Sequence, residues 1–123
     1  MKSASVLIVE DDKWLAEQYQ RVLSGAGYKA TVSLHALAAI TVIDDVRPDS
    51  IILDVLLTGT TAFTLMHELQ SYGDTGAIPI ILCTNLASEL SLDEVKLYGV
   101  KRILDKATMA PDDLVAAVKS VLL

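Results

Sequence analysis

Three short stretches of the chain are apolar at every position and rich in β-branched residues: 6–9, 51–53 and 78–83. Such stretches are typical of strands covered on both faces, and these usually belong to a parallel sheet. Two weaker stretches, the alternating apolar positions of 28–32 and the short run 100–104, predict an edge strand and a last strand. The pattern therefore predicts five strands.

Between the predicted strands, apolar residues recur at intervals of three and four, which is the period of a helix with one buried face. The recurrence is found at residues 15–23, 36–43, 62–69, 92–98 and 114–122. It is weakest at 92–98, where Gly99 fits a helix stop. Pro111, followed by Asp112 and Asp113, fits the first turn of the last helix.

Strand and helix alternate five times, and right-handed crossovers then place all strands parallel, with helices on both faces of the sheet. We predict a flavodoxin-like three-layer α/β/α sandwich whose five-stranded parallel sheet has the order 2-1-3-4-5. The length of 123 residues fits one domain over 1–123. No repeat or low-complexity tract divides the sequence.

Composition narrows the class of protein further. The sequence has 16 Asp plus Glu against 10 Lys plus Arg, so a general nucleic-acid-binding face is not expected. Cys83 is the one cysteine and lies in an apolar stretch, which predicts a buried thiol and a reducing, cytoplasmic setting. The first apolar stretch meets a charge at Glu10, too early for a signal peptide or a membrane span.

Polar side chains that could carry chemistry follow directly after the predicted strands. In open α/β sheets, ligands bind outside the carboxyl ends of the strands. The residues at these positions are Glu10, Asp11 and Asp12 after the first strand, Asp54 after the third, Thr84 after the fourth, and Asp105 and Lys106 after the fifth. We therefore expect carboxylates, one hydroxyl and one ammonium to converge at one edge of the sheet.

Clustered carboxylates repel one another unless they are protonated, paired with a cationic side chain or bound to a metal. Oxygen ligands favour a hard divalent cation, and magnesium is held by one or two carboxylates, waters and often a phosphate. We predict a Mg²⁺ site formed by Glu10, Asp11 and Asp54. Lys106 would supply positive charge from the opposite side.

The chain resembles the response-regulator receiver domains of two-component signalling, whose single-domain members are the CheY-like proteins. The resemblance covers nearly the whole chain. It rests on LIVEDD at 7–12, PDSIILDV at 48–55, PIILCT at 79–84, and Gly99 with Lys106. These segments stand in the family's order and at similar spacings, so the chain is expected to be a single receiver domain.

The resemblance implies that Asp54 accepts a phosphoryl group from a phosphohistidine of a partner histidine kinase or phosphotransfer protein. It also implies that the backbone carbonyl of Leu56 is a further ligand of the magnesium site, and that Thr84 and Lys106 contact the phosphoryl oxygens. In-line transfer to a carboxylate needs mainly positioning and charge neutralisation, which these groups can supply. Such a domain is a switch rather than an enzyme, although it can catalyse its own phosphorylation and dephosphorylation.

Four positions depart from the family pattern. Ala107 stands where the lysine is usually followed by proline, and since a cis bond to a non-proline residue costs about 3 kcal/mol, we predict a trans Lys106–Ala107 bond. Thr58 and Ala62 replace the usual proline and glycine after the acceptor. Ile103 stands where an aromatic switch residue is typical, so the ring rotation that the family couples to a threonine hydroxyl cannot be copied here.

Three other functions were weighed. A degenerate receiver would signal by binding partner proteins without phosphorylation, and Ile103 and Ala107 keep this alternative open. Hydrolases that form an aspartyl phosphate place the nucleophile in a D-x-D motif after the first strand, whereas Val9 is followed here by Glu10 and Asp11. A flavin-binding module is disfavoured because no phosphate-binding loop follows the first strand.

We expect a monomer or weak dimer with an unknown downstream effector.

The remaining polar residues are assigned structural roles. Asp12 fits the N-cap of the first helix better than a metal ligand. Asp105 is expected to be a solvated loop charge, and His35 and His67 are expected to be surface residues because neither has a metal-ligand partner at suitable spacing. Residues 58–61 lack the spacing of a nucleotide-binding loop and are expected to form a plain loop.

Overall fold

The computed structural model describes residues 3–55, 62–71, 73–85 and 87–122. The strands are β1 (Ser5–Val9), β2 (Lys29–Ser33), β3 (Ser50–Leu53), β4 (Ile80–Thr84) and β5 (Val100–Asp105). The α-helices are α1 (Lys13–Gly25), α2 (Ala36–Val46), α3 (Ala62–Gln70), α4 (Gly73–Gly76), α5 (Leu92–Val95) and α6 (Pro111–Val121). Short 3-10 turns occupy Ala87–Glu89 and Lys96–Tyr98.

All pairings in the sheet are parallel, and the strand order is β2-β1-β3-β4-β5, which confirms the predicted flavodoxin-like topology. The inner strands β3 and β4 are buried at every residue, and β1 at all but its first. This burial explains why their sequences are apolar throughout. The weaker patterns belong to the edge strands β2 and β5, each of which has one open side.

Successive side chains of a strand point to opposite faces of the sheet and supply two separate cores. On one face, α1 and α6 pack on residues such as Ile8, Ile81 and Cys83. On the other, α2, α3 and Val95 of α5 pack on residues such as Leu53. The buried position predicted for Cys83 is confirmed, and burial raises the pKa of its thiol to about 12.

The segment predicted as the weakest helix forms only one α-helical turn, α5, followed by a 3-10 turn. Only Val95 is buried in these two turns, because the segment has too few apolar positions to pack a longer helix against the sheet. Gly99 ends the segment with a φ of 89°, a left-handed conformation that glycine adopts without a Cβ clash. The short helix α4 had no counterpart among the predicted elements.

Two helix starts at the carboxyl edge of the sheet are fixed by aspartates. Asp12 is the N-cap of α1, and its Oδ1 accepts a hydrogen bond from the Leu15 N–H at 3.1 Å, as predicted. At α6, Asp113 Oδ2 accepts from the Ala110 N–H at 2.8 Å, with Pro111 as the first helical residue. Both helices are thereby anchored where the candidate site lies.

None of the helices in the described part of the chain is both long and apolar enough to cross a membrane. His35 and His67 are exposed, which agrees with their expected surface positions. Residues 56–61 lie outside the described residues, so the expectations for Leu56 and Thr58, and for the plain loop at 58–61, stay predictions.

Candidate functional site

The carboxyl ends of four neighbouring strands bring the candidate residues together. Val9 of β1 pairs with Leu53 of β3, so the residues that follow these two strands lie side by side. The pairing extends one residue further, because the Asp54 N–H donates to the Val9 carbonyl at 3.2 Å. On the next strands, Thr84 and Asp105 are opposite one another. The register of the parallel strands therefore determines which residues lie side by side at the site.

Three carboxylates form a cluster at this edge, as predicted. Glu10, Asp11 and Asp54 each place one oxygen within 4.8 Å of the others. Glu10 is 2% exposed and Asp54 6%, while Asp11 is half-buried. Buried carboxylates at such distances raise one another's free energy unless positive charge is close by.

Lys106 supplies that positive charge. Its ammonium donates hydrogen bonds to Asp54 Oδ2 at 2.9 Å and to Glu10 Oε1, and its side chain is 12% exposed. The main chain holds the lysine in place, since the Lys106 N–H donates to the Thr84 carbonyl at 3.1 Å. Asp54 and Lys106 are 52 residues apart in the sequence and meet only because their strands end at the same edge.

The backbone after Lys106 continues through a trans peptide bond to Ala107. No peptide bond is cis among the described residues, so the prediction of a trans Lys106–Ala107 bond is confirmed. Asp105 differs from expectation: it is the last residue of β5, it is half-buried, and its Oδ1 accepts from the Ala107 N–H at 2.9 Å. Its carboxylate closes the turn after β5 because that N–H lies two residues further along the chain.

Burial and hydrogen bonding compete in setting the pKa values of Glu10 and Lys106. Burial raises the pKa of Glu10, and this outweighs the hydrogen bonds from Lys106 and from the Asp12 N–H at 3.2 Å, which lower it. For Lys106, burial lowers the pKa, but the hydrogen bonds to Glu10 and Asp54 outweigh it, and the pKa is raised. The ammonium is therefore retained at neutral pH.

The four charged side chains leave a surplus of negative charge. Three carboxylates, of Glu10, Asp11 and Asp54, face one ammonium, of Lys106. When all are ionised, their formal charges sum to −2. Oxygen ligands with a surplus of this size fit a hard divalent cation.

Two further residues bear on the site. Thr84 ends β4, is fully buried and carries the carbonyl that holds the Lys106 backbone. Ile103 lies opposite Leu82 in the sheet and is partly buried against the core on the α2 and α3 face. Its side chain is aliphatic, whereas the family resemblance leads one to expect an aromatic ring at this position.

Tyr19 was not singled out by the sequence, which placed it only on the apolar face of the first helix. In the structure it is 5% exposed, and its hydroxyl oxygen is buried with no hydrogen-bond partner among the described residues. A tyrosine among apolar residues at helical spacing was the available signal. The pattern could not show whether its hydroxyl would have a hydrogen-bond partner.

Comparison with known proteins agrees with this geometry. Residues 6–119 match the response regulator receiver domain family. The transcriptional regulatory protein BaeR of Escherichia coli O6:H1 is 31% identical over 120 residues, which are 95% of this chain and 47% of BaeR. The phosphate regulon transcriptional regulatory protein PhoB of Pseudomonas aeruginosa is 33% identical over 122 residues, 99% of this chain and 53% of PhoB. The chain spans about half the length of these relatives.

Solved structures show the same likeness. The chemotaxis response regulator CheY4 of Vibrio cholerae superposes with a TM-score of 0.86 at 25% identity, over 98% of this chain and 100% of that chain. The receiver domain of a signal transduction histidine kinase from Syntrophus aciditrophicus superposes with a TM-score of 0.83 at 28% identity, over 98% of this chain and 90% of that chain. With this fold, carboxylate cluster and sequence match, the chain belongs to the response regulator receiver domain family of two-component signalling.

Proposed function

We propose that this receiver domain is a phosphoacceptor switch and that Asp54 is the residue phosphorylated. The observation that carries the proposal is the 2.9 Å contact between Asp54 Oδ2 and the Lys106 ammonium, next to the cluster that Asp54 forms with Glu10 and Asp11. One carboxylate thus lies beside both a cation and a candidate metal site. Phosphoryl transfer needs such an arrangement, because its transition state spreads negative charge over the phosphoryl oxygens.

The phosphodonor in this proposal is a phosphohistidine of a histidine kinase or phosphotransfer protein. An Asp54 carboxylate oxygen forms the new bond to phosphorus as the nitrogen–phosphorus bond breaks, and that bond's electron pair stays on the imidazole nitrogen. Lys106 and Thr84 contact the phosphoryl oxygens. The residues contribute positioning and charge compensation, and no substrate is turned over.

Magnesium is the cation that we assign to the cluster. Glu10, Asp11 and Asp54 would hold it, together with the Leu56 carbonyl implied by the family resemblance. Its role would be to neutralise charge on the phosphoryl oxygens. The formal surplus of negative charge on the side chains supports a divalent ion, and the all-oxygen ligand set supports a hard one.

The wider context of the proposal is a single domain over 1–123, acting in the cytoplasm as a monomer or weak dimer. The acidic net charge of −6 supports protein partners rather than direct nucleic-acid contact by this domain. Several relatives are named as transcriptional or DNA-binding regulators. The output of this chain would accordingly pass to a downstream effector.

A receiver that works without phosphorylation is the second candidate, and Ile103 and Ala107 favour it because they replace residues used for switching in the family. An experiment separates the two. Intact-mass spectrometry after incubation with acetyl phosphate and Mg²⁺ is expected to show a gain of one phosphate, and no gain when a chelator replaces the metal. An unchanged mass under both conditions would favour the degenerate receiver.

Magnesium is expected to stabilise the fold in proportion to RT ln(1 + [Mg²⁺]/Kd), with an effect in the millimolar range for a weakly held ion. Without metal, the free energy of unfolding of Asp11→Asn should be no more than about 0.5 kcal/mol below that of wild type, because the substitution relieves carboxylate repulsion. Addition of Mg²⁺ should raise the melting temperature of the variant less than that of wild type. Melting curves at matched ionic strength test this, and a melting temperature that follows ionic strength alone contradicts the site.

Phosphorylation is expected to change the loops after Thr84 and Lys106 more than the surface formed by α5, β5 and α6. Ile103 is stiff at χ1 and offers no ring, which lowers the coupling by about 1 kcal/mol relative to an aromatic residue. Hydrogen exchange with and without beryllofluoride, a mimic of the acyl phosphate, measures the difference. Ile103→Tyr should enlarge the changes in α5 and α6. Changes in wild-type α5 and α6 as large as those after Thr84 would refute the expectation.

A further inference from the structure

Asp105 accepts hydrogen bonds from three backbone N–H groups of the loop that follows Lys106. Its Oδ1 accepts from the Ala107 N–H at 2.9 Å. Its carbonyl oxygen accepts from the Thr108 N–H at 3.2 Å and from the Met109 N–H at 2.9 Å. The path of this loop is therefore tied to the last residue of β5.

The backbone of Lys106 is held from both sides. On one side, the Lys106 N–H donates to the Thr84 carbonyl at 3.1 Å, which ties it to the end of β4. On the other side, the Asp105 carboxylate holds the Ala107 N–H. Each of the two peptide bonds that flank the Lys106 Cα thus has a hydrogen bond. Together these bonds set the direction in which the Cα presents its side chain.

This direction matters because the ammonium of Lys106 stands at the end of a long, flexible side chain. Lys106 Nζ nevertheless donates to Asp54 Oδ2, at 2.9 Å, and to Glu10 Oε1. Holding a lysine in one conformation costs rotamer entropy, so a backbone free to turn would weaken both contacts. Ala107 does not restrict the backbone by itself, since only proline has a φ fixed by its ring.

We propose that Asp105 is a positioning residue of the phosphoacceptor site, whose carboxylate holds the Ala107 N–H and thereby directs Lys106 towards Asp54 and Glu10. The proposal rests on the proposed function, in which Lys106 contacts the phosphoryl group. Asp105 acts through the backbone of the loop and is assigned no contact with the phosphoryl group or the metal. In this chain, a carboxylate before the lysine restrains the loop where alanine follows the lysine.

The rate of phosphorylation by acetyl phosphate at saturating Mg²⁺ tests this role. Asp105→Ala removes the acceptor and should lower the rate about three- to tenfold, the range expected for one lost hydrogen bond. Asp105→Asn keeps an oxygen that can accept from the Ala107 N–H, and its rate should stay within about twofold of wild type. A wild-type rate for Asp105→Ala, or equally low rates for the two variants, would overturn the proposal.

Asp113→Ala is the matched control. Asp113 Oδ2 accepts from the Ala110 N–H at 2.8 Å, so this substitution also removes a bond between a carboxylate and a nearby backbone N–H in the segment after β5. Loss of this bond at the start of α6 should lower the melting temperature. The phosphorylation rate should not change, because the bond does not adjoin Lys106. An equal fall in rate for Asp113→Ala and Asp105→Ala would indicate a general structural effect and overturn the proposal.

The effect of Lys106→Met on the free energy of unfolding gives a readout that does not depend on phosphorylation. Urea denaturation without metal measures this effect in wild type and in the variants of Asp105 and Asp113. If Asp105 directs the ammonium, Lys106→Met should cost less in Asp105→Ala than in wild type, because the ion pairs are already weakened there. The cost should be that of wild type in Asp105→Asn and in Asp113→Ala.

The outcomes of this comparison separate the proposal from the proposed function. A cost that is the same in every background would overturn the positioning role of Asp105 even if Asp54 is phosphorylated. A cost lowered equally in Asp105→Asn would indicate charge attraction between Asp105 and Lys106 and would also overturn it. A cost lowered in Asp105→Ala alone would support the positioning role even if wild type accepts no phosphate and the proposed function fails.

Discussion

Lys106→Met is expected to lower the free energy of unfolding of the metal-free protein by about 3 kcal/mol at pH 7 and to remove phosphorylation by acetyl phosphate. The substitution keeps most of the side-chain volume but leaves the carboxylates of Glu10 and Asp54, both buried, without their ammonium. Breaking one side of a buried ion pair is costly because the remaining charge stays desolvated. Urea denaturation in the presence of a chelator measures the loss.

The stability deficit of this variant should shrink as the pH falls. In wild type the pKa of Glu10 is already raised above its ordinary value of 4.5, and removal of the lysine takes away hydrogen bonding that opposes the rise. A carboxyl that binds its proton more tightly in the folded state than in the unfolded state stabilises the fold as the pH drops through the folded-state pKa. The difference from wild type should therefore be smaller at about pH 5 than at about pH 7.

Lys96→Met is the matched control for charge removal. Lys96 pairs with Asp93 at 3.2 Å, but the two side chains are 60% and 88% exposed, so the expected change is below about 1 kcal/mol. Phosphorylation should be unaffected because Lys96 lies outside the site. A Lys106→Met protein as stable as Lys96→Met at pH 7 would show that the buried ion pairs do not exist in solution.

Asp54→Asn is expected to abolish the gain of phosphate mass while leaving the fold intact. The amide oxygen can still accept the Lys106 hydrogen bond, but it lacks the charge needed to attack phosphorus. Loss of one carboxylate from a crowded cluster should leave the metal-free protein as stable as wild type or more so. Intact-mass spectrometry and thermal melting on the same samples measure the two effects.

Asp49→Asn provides a matched control at the opposite edge of the sheet. Asp49 Oδ2 accepts a hydrogen bond from the Ser5 N–H at 2.7 Å, at the start of β1. This variant should gain phosphate as wild type does. A lower melting temperature is expected if the amide accepts the Ser5 hydrogen bond less well than the carboxylate. Equal phosphate gain by Asp54→Asn and wild type would mean that another residue is the acceptor.

The parts of the fold that the sequence predicted well are those in which burial constrains every residue. β3 and β4 are covered on both faces, so their composition alone marked them as inner parallel strands. Once the strand order was inferred, the residues after each strand had to meet at one edge. Glu10, Asp11 and Asp54 form their cluster there for this reason.

Features that depend on side-chain direction were not predictable in the same way. The period of α1 placed Tyr19 on the buried face, but it could not show that the hydroxyl has no partner among the described residues. Asp105 was expected in solvent, yet it accepts the Ala107 N–H because the chain turns back two residues later. Such contacts are set by local turn geometry, which residue type alone does not determine.

The most direct test of the central claim is to identify the phosphorylated residue in the wild-type protein. After phosphorylation, borohydride reduction converts an aspartyl phosphate to the corresponding alcohol, which survives proteolysis and peptide mass spectrometry. We predict that the reduced residue is Asp54 and that it appears only when both the phosphodonor and Mg²⁺ are present. Reduction mapped to any other residue, or no reduced residue in a protein that has gained phosphate, would contradict the assignment of Asp54 as the phosphoacceptor.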